Sequence, residues 1–372
     1  MSHPYENLPR DRFWRTAVAE RSPFQIEGLW KPRFQIKRRA KIITAGSCFA
    51  QHISRALVAR GYNWLDGEPA PEGMTDAAKR DYHYGTFSFR TGNIYTPNML
   101  RQWLSWAEGT EKPPEITWEE NGRFYDPFRP AVELNGFANE AELFASRNVT
   151  IAAIRSAIRS TNYFVFTLGL TEAWIDRDCG FEYAICPGTV AGQFDAAQHE
   201  FVNYGFQNTF RSLKTAISLA RKINRQIKFI LTVSPVPLTA TATNDHVLTA
   251  TSHSKSILRA VAGEMKSVNA GVDYFPSYEI ITHPAFRGMF FGPNMRSVDA
   301  KGVEFVMDSF FRDQFAAFSK TVTVQGPYGV MEQKVVGPEQ AIPKRAIPAD
   351  EAAEDAAEEV LCEEEMLDAF SK

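Results

Sequence analysis

Cysteine is scarce in this chain. Four occur in 372 residues, at Cys48, Cys179, Cys186 and Cys362. None belongs to a CxxC unit, which argues against a zinc site. They are too few for a disulfide scaffold. Cys179 and Cys186 remain close enough in sequence to pair in an oxidising compartment. Long apolar runs are missing as well, so nothing is expected to span a membrane. The opening residues MSHPYENLPRDRFWRTAVAE lack the apolar core of an export signal, and the expected location is cytoplasmic. There is no Gly-x-Gly-x-x-Gly fingerprint and no run of metal-ligating residues, so neither a nicotinamide cofactor nor a metal is implied. Basic residues interleaved with aromatics are absent too, which makes nucleic acid a poor partner. No internal repeat is evident.

What is present is ordinary globular material: 44% hydrophobic and 23% charged residues. The length is enough for a large core. The net charge of -3 is unevenly spread. Residues 350–372 carry ten acidic side chains and one basic, which leaves 34 acidic and 40 basic in the body. Lys31, Arg33, Lys37, Arg38, Arg39 and Lys41 form a basic run. It is either a patch for an anionic ligand or a solvated approach segment.

Residues 1–40 read as an irregular, aromatic-rich lead-in. Lys41–Gly46 reads as a buried strand, followed by apolar residues at helical spacing from Phe49 to Gly61. Further strands are expected at Tyr163–Gly169, Ile227–Val233 and Val272–Phe275. Helices are expected from about Thr96, over 139–160, 206–224 and 246–266, and from an Asp299 N-cap to about Phe315. The strands are continuous apolar runs alternating with helices, the pattern of a parallel sheet covered on both faces. The fold class is therefore α/β, a three-layer α/β/α sandwich with a mainly parallel sheet, within one domain over 41–320. Ligands bind such sheets at the carboxyl ends of the strands. Gly46, Gly169, Ser234 and Ser277 all fall there. Residues 321–349 read as a linker. Residues 350–372 read as an acidic tail, either solvating or a short helix that docks on a partner or on the basic lead-in.

The turn Gly46-Ser47-Cys48-Phe49-Ala50 carries the chemistry. A side chain where a strand feeds a helix is exposed at the sheet edge, near unpaired N–H groups and the positive end of the helix dipole. A cysteine there favours its thiolate. The same N–H groups form part of an oxyanion hole for acyl transfer. The plain structural reading is a glycine–serine cap followed by a core cysteine.

The segment from Ile43 to His52 resembles the signature of the GSCFA domain family, which is placed among the SGNH (GDSL-like) hydrolases of flavodoxin-like architecture. Further matches are Gly92-Asn93-Ile94-Tyr95-Thr96, Phe166-Thr167-Leu168-Gly169, Thr232-Val233-Ser234-Pro235 and Tyr274-Phe275-Pro276-Ser277-Tyr278-Glu279. The resemblance implies an acyl-esterase or acyltransferase acting on a small-molecule or glycan acyl substrate. Its nucleophile is Cys48 by register, or Ser47 after a one-residue shift. It implies oxyanion or substrate contacts from Gly46, Gly92, Asn93, Gly169, Thr171, Glu172 and Ser234. The Asp-x-x-His block that supplies the base is replaced here by Asn294-Met295-Arg296-Ser297. His283 with Glu279 is one substitute and His52, one helical turn after Cys48, is another. His83, His246 and His253 read as loop or surface histidines. The alternative is a catalytically silent binding or scaffold protein on the same fold. Arg287, Arg296 and the stretch Gly288–Pro293 form either an anion-binding lid or a packed loop. Trp103, Trp106 and Trp118 either stack on sugar rings or pack.

Overall fold

The computed structural model describes residues 3–325, 331–336 and 362–371. They divide into two compact units. One takes residues 38–274 and the described C-terminal residues; the other takes residues up to 37 and those from 275 to 336.

In chain order the elements are β1 (Ile42–Gly46), α1 (Ala50–Ala59), α2 (Asp76–Asp81), α3 (Pro97–Glu108), β2 (Trp118–Glu120), β3 (Arg123–Tyr125), α4 (Glu140–Ser160), β4 (Tyr163–Leu168), β5 (Glu172–Asp176), β6 (His199–Asn203), α5 (Phe206–Ile223), β7 (Lys228–Val233), α6 (Val247–Val268), β8 (Val272–Tyr274), α7 (Ser277–Thr282), α8 (Ala300–Phe318), β9 (Lys320–Gln325) and β10 (Met331–Val336). A 3-10 helix follows at Glu363–Phe370.

The larger unit is built on a parallel sheet in the order β1-β4-β7-β8. Its strands are almost wholly buried, as their unbroken apolar sequences require. α1 packs on β1 and β4, α6 packs on β7 and β8, and α3 packs on α4 and α5. This is the expected α/β/α sandwich. The helix starts follow their capping residues. Thr96 accepts from Met99 N–H ahead of Pro97, and Asn139 accepts from Glu142 N–H.

Between β3 and α4 lies a buried charged group. Asp126 bridges Arg129 at 2.9 Å and Arg147 at 2.9 Å. Burial alone would raise the Asp126 carboxyl, but the two guanidinium groups outweigh it and hold its pKa below the ordinary value.

The smaller unit centres on aromatic packing against α8. Trp30 stacks on Phe310 with ring centroids 4.8 Å apart, and its N–H donates to Asp313 at 2.9 Å. Asp299 caps α8 through Gly302 N–H. Phe290 is buried and stacks on Phe305, so Gly288–Pro293 is a packed loop. Trp103, Trp106 and Trp118 are buried in the larger unit and pack. The segment read as a linker contains two strands that pair antiparallel, β9 with β10. The antiparallel pair β5 and β6 was not visible as periodicity. Cys179 and Cys186 are free thiols.

Candidate functional site

β1 ends against β4, with Gly46 opposite Thr167. Gly46 has φ +137°, and a Cβ there would stand 2.3 Å from the Thr167 carbonyl oxygen. Only glycine fits. Ser47 N–H then donates to that same oxygen at 3.0 Å. α1 begins at Ala50, so Ser47 and Cys48 precede the helix rather than lying within its first turn. The Ser47 hydroxyl is buried, with no hydrogen-bond partner among the described residues. It faces Gly169, where a Cβ would come within 2.9 Å of the serine Cβ.

Two further loops are tied to this turn. Ile94 N–H donates to Gly46 O at 2.8 Å, while Gly169 N–H and Leu170 N–H donate to Tyr95 O at 2.9 and 3.1 Å. Buried Lys255 on α6 donates to Gly169 O at 2.7 Å. Gly46, Ser47 and Gly169, with the loop that carries Gly92 to Tyr95, therefore meet at the carboxyl ends of β1 and β4. Strand-end topology is what collects them.

On the 92–95 loop, three donors converge on one carboxylate. Asn93 N–H donates to Glu363 Oε1 at 3.3 Å, the Asn93 side-chain amide donates to Oε2, and the Tyr95 hydroxyl donates to Oε2 at 3.1 Å. Gly92 has φ +66°, and a Cβ on it would lie 2.8 Å from Glu363 Oε1. The Cys362 sulfur is 3.8 Å from the same hydroxyl. Burial pushes the Tyr95 phenol well above its ordinary pKa, helped by Cys362, Glu363, Glu364 and Cys48 around it. Tyr95 therefore stays protonated and acts as a donor. Cys48, itself buried, lies within electrostatic reach of that hydroxyl.

His83 belongs to the same neighbourhood. It is buried, sits in the left-handed region at φ 58°, and its Nδ1 has no hydrogen-bond partner among the described residues. Arg90 holds the residues on either side: its Nε donates to Tyr82 O at 2.9 Å, and its guanidinium lies 4.1 Å over the Tyr84 ring. Burial lowers the His83 pKa, and the nearby Glu363 carboxylate opposes that shift. Neutral imidazole is the resting form at pH 7.

Other residues singled out from sequence have structural engagements. The Thr171 hydroxyl donates to Asn203 at 2.8 Å. Glu172 accepts from the Thr241 hydroxyl at 2.7 Å and from Ala242 N–H. Ser234 Oγ accepts from Val236 N–H at 3.3 Å. His52 packs edge-on to Phe49, and burial with the Arg55 charge pushes its pKa down to about 4. Glu279 and His283 lie in the smaller unit. There His283 Nδ1 accepts from Ala285 N–H at 3.1 Å and its ring packs on Trp14. These contacts make it a local cap. The contacts of Tyr95 and Glu363 and the burial of His83 were not read from sequence. The signals available were the Gly92-Asn93-Ile94-Tyr95-Thr96 match and the aromatic run Tyr82-His83-Tyr84-Gly85.

Beside Tyr95 opens a cavity of about 580 Å³. Its walls include Leu170, Trp174, Ile185 and Leu238, and the C-terminal segment adds Leu367 and Phe370. Glu182 also lines it. Glu182 accepts from the Thr96 hydroxyl, from Asn98 at 2.9 Å and from Tyr204 at 3.1 Å. Burial nevertheless raises its carboxyl to about 7.

Among the described residues, no group of His, Cys, Asp and Glu is placed to hold a metal ion, and no helix is long and apolar enough to cross a membrane. No curated protein matches the sequence. The GSCFA family profile matches residues 41–310, well over half of the chain. That match takes in the Gly46-Ser47-Cys48 turn and the whole parallel sheet, and the chain belongs to the GSCFA family.

Proposed function

We propose that the protein catalyses acyl transfer or ester hydrolysis through Cys48. The observation that carries this reading is the convergence of Asn93 N–H, the Asn93 amide and the Tyr95 hydroxyl on a single carboxylate beside the turn. A donor set that holds a carboxylate also suits the oxyanion of a tetrahedral acyl intermediate. The apolar walls of the cavity next to Tyr95 suit the carbon skeleton of an acyl substrate. The resemblance to SGNH hydrolases points the same way, as fold-level analogy.

In this reading neutral His83 takes the Cys48 thiol proton, and the sulfur bonds to the acyl carbon. The carbonyl electron pair moves to oxygen, where the Asn93 donors hold it. Collapse breaks the ester C–O bond, and the leaving alkoxide takes the proton from His83. Water or an acceptor hydroxyl then attacks the thioester, which gives hydrolysis or transfer. His83 replaces the absent Asp-x-x-His block.

The test is intact mass after incubation with a p-nitrophenyl acyl ester, for the native chain and for Cys48→Ala and Ser47→Ala. One acyl group per chain, lost in Cys48→Ala and kept in Ser47→Ala, is expected. Loss in Ser47→Ala alone moves the nucleophile to Ser47. Absence of any adduct on folded protein, in the native chain and in Glu363→Ala alike, rejects the acyl-enzyme and favours a binding role.

A further inference from the structure

The donors that would hold the oxyanion are already occupied by this chain. Glu363 is 8% exposed, and both its carboxylate oxygens are bound by Asn93 and Tyr95. Glu364 N–H adds a contact to the Tyr95 hydroxyl at 3.4 Å. Past Glu364 the 3-10 helix lays Leu367 and Phe370 against the cavity. The bare Gly92 is what lets the carboxylate come so close, since any Cβ there would meet it. An isolated carboxylate is costly to bury, and three donors offset that cost here. An ester substrate yields a carboxylate product, so a glutamate side chain in this cradle imitates one product of the reaction.

We infer that the C-terminal segment Cys362–Phe370 is a tethered, product-like ligand of this site: Glu363 occupies the carboxylate cradle and must leave before a substrate acyl group enters. The inference rests on reading the Cys48 turn as the reactive centre. A tethered ligand lowers the fraction of molecules competent to bind anything else, and the apparent affinity falls by that fraction. Tethering also makes the occupancy independent of protein concentration.

The experiment measures the rate at which iodoacetamide alkylates Cys48, followed by peptide mass mapping, so that Cys48 and Cys362 are read separately. It uses the full chain, with Glu363→Ala and the milder Glu363→Gln, and with Asp368→Ala, an exposed position on the same helix, as the control. Expected is an increase of about tenfold in Cys48 alkylation for Glu363→Ala, a smaller increase for Glu363→Gln and the native rate for Asp368→Ala. A synthetic peptide of residues 360–372 added to Glu363→Ala should slow the reaction again. Equal or slower alkylation in both Glu363 variants overturns the inference. The p-nitrophenyl ester assay on the same proteins separates the two readings. Faster alkylation without any acyl adduct keeps the tethered ligand and rejects acyl transfer. An adduct that forms equally in native and Glu363 variants, with unchanged alkylation, does the reverse.

Discussion

Gly46 and Thr167 stand opposite each other on β1 and β4, so close that a Cβ on Gly46 would lie 2.3 Å from the Thr167 carbonyl oxygen. That oxygen also accepts Ser47 N–H. Backbone blocks the space, so no side-chain rearrangement relieves it. Gly46→Ala is expected to destabilise the fold by roughly 3 kcal/mol or more, since it adds strain at a positive φ to overpacking. Urea unfolding followed by circular dichroism checks this. A loss under 1 kcal/mol would show that the turn can move.

Asp126 ties the connection after β3 to α4 through Arg129 and Arg147. It is fully enclosed and its two arginine partners are buried with it. Removing its charge leaves two buried guanidinium groups uncompensated. Asp126→Asn should therefore lower stability by about 3–5 kcal/mol at pH 7. Urea unfolding checks this, and the unfolding free energy should fall by less than about 1 kcal/mol when the acid is removed from an exposed pair such as Arg177 with Glu200.

Glu182 makes stability depend on pH in a stated direction. Its folded pKa, about 7, lies above the ordinary 4.5 of the unfolded chain. The protonated folded form is thus favoured, and its contribution is complete below pH 4.5 and is lost as pH rises through 7. Glu182→Gln removes the titration. It should match the native chain near pH 4 and exceed it at pH 9 by up to about 3 kcal/mol. Parallel stability curves at the two pH values would refute the assignment.

His83 needs a variant that keeps its backbone. Asparagine tolerates φ 58° and cannot act as a base near neutrality. His83→Asn should leave the melting temperature within a few degrees and slow acylation of Cys48 about a hundredfold. Because burial holds the imidazole pKa down, the acid limb of the native rate should fall below pH 6.5. In His83→Asn that limb should vanish, and the rate should climb with thiol ionisation alone.

The strand and helix pattern was legible because buried strands need apolar side chains on both faces and helices need a periodic stripe. Hence β1, β4, β7 and β8 and the long helices fall close to where periodicity put them. The Asp299 and Thr96 starts follow from short polar side chains that accept a backbone N–H. The β5–β6 hairpin did not announce itself, since its strands are partly exposed and carry mixed residues. The antiparallel pair of β9 and β10 lies in a stretch read as linker.

Sequence by itself determined the α/β class, the sheet-edge turn at Gly46-Ser47-Cys48 and the family, because these depend on local spacing and on residues adjacent in the chain. Tertiary structure alone decided that Asn93 and Tyr95 aim their donors at Glu363, 270 and 268 positions away. It also decided that His83 is buried within electrostatic reach of that carboxylate. Hydrogen bonds and buried charges act through space over a few ångströms. No periodicity in the chain records which distant segment the fold will bring within that range.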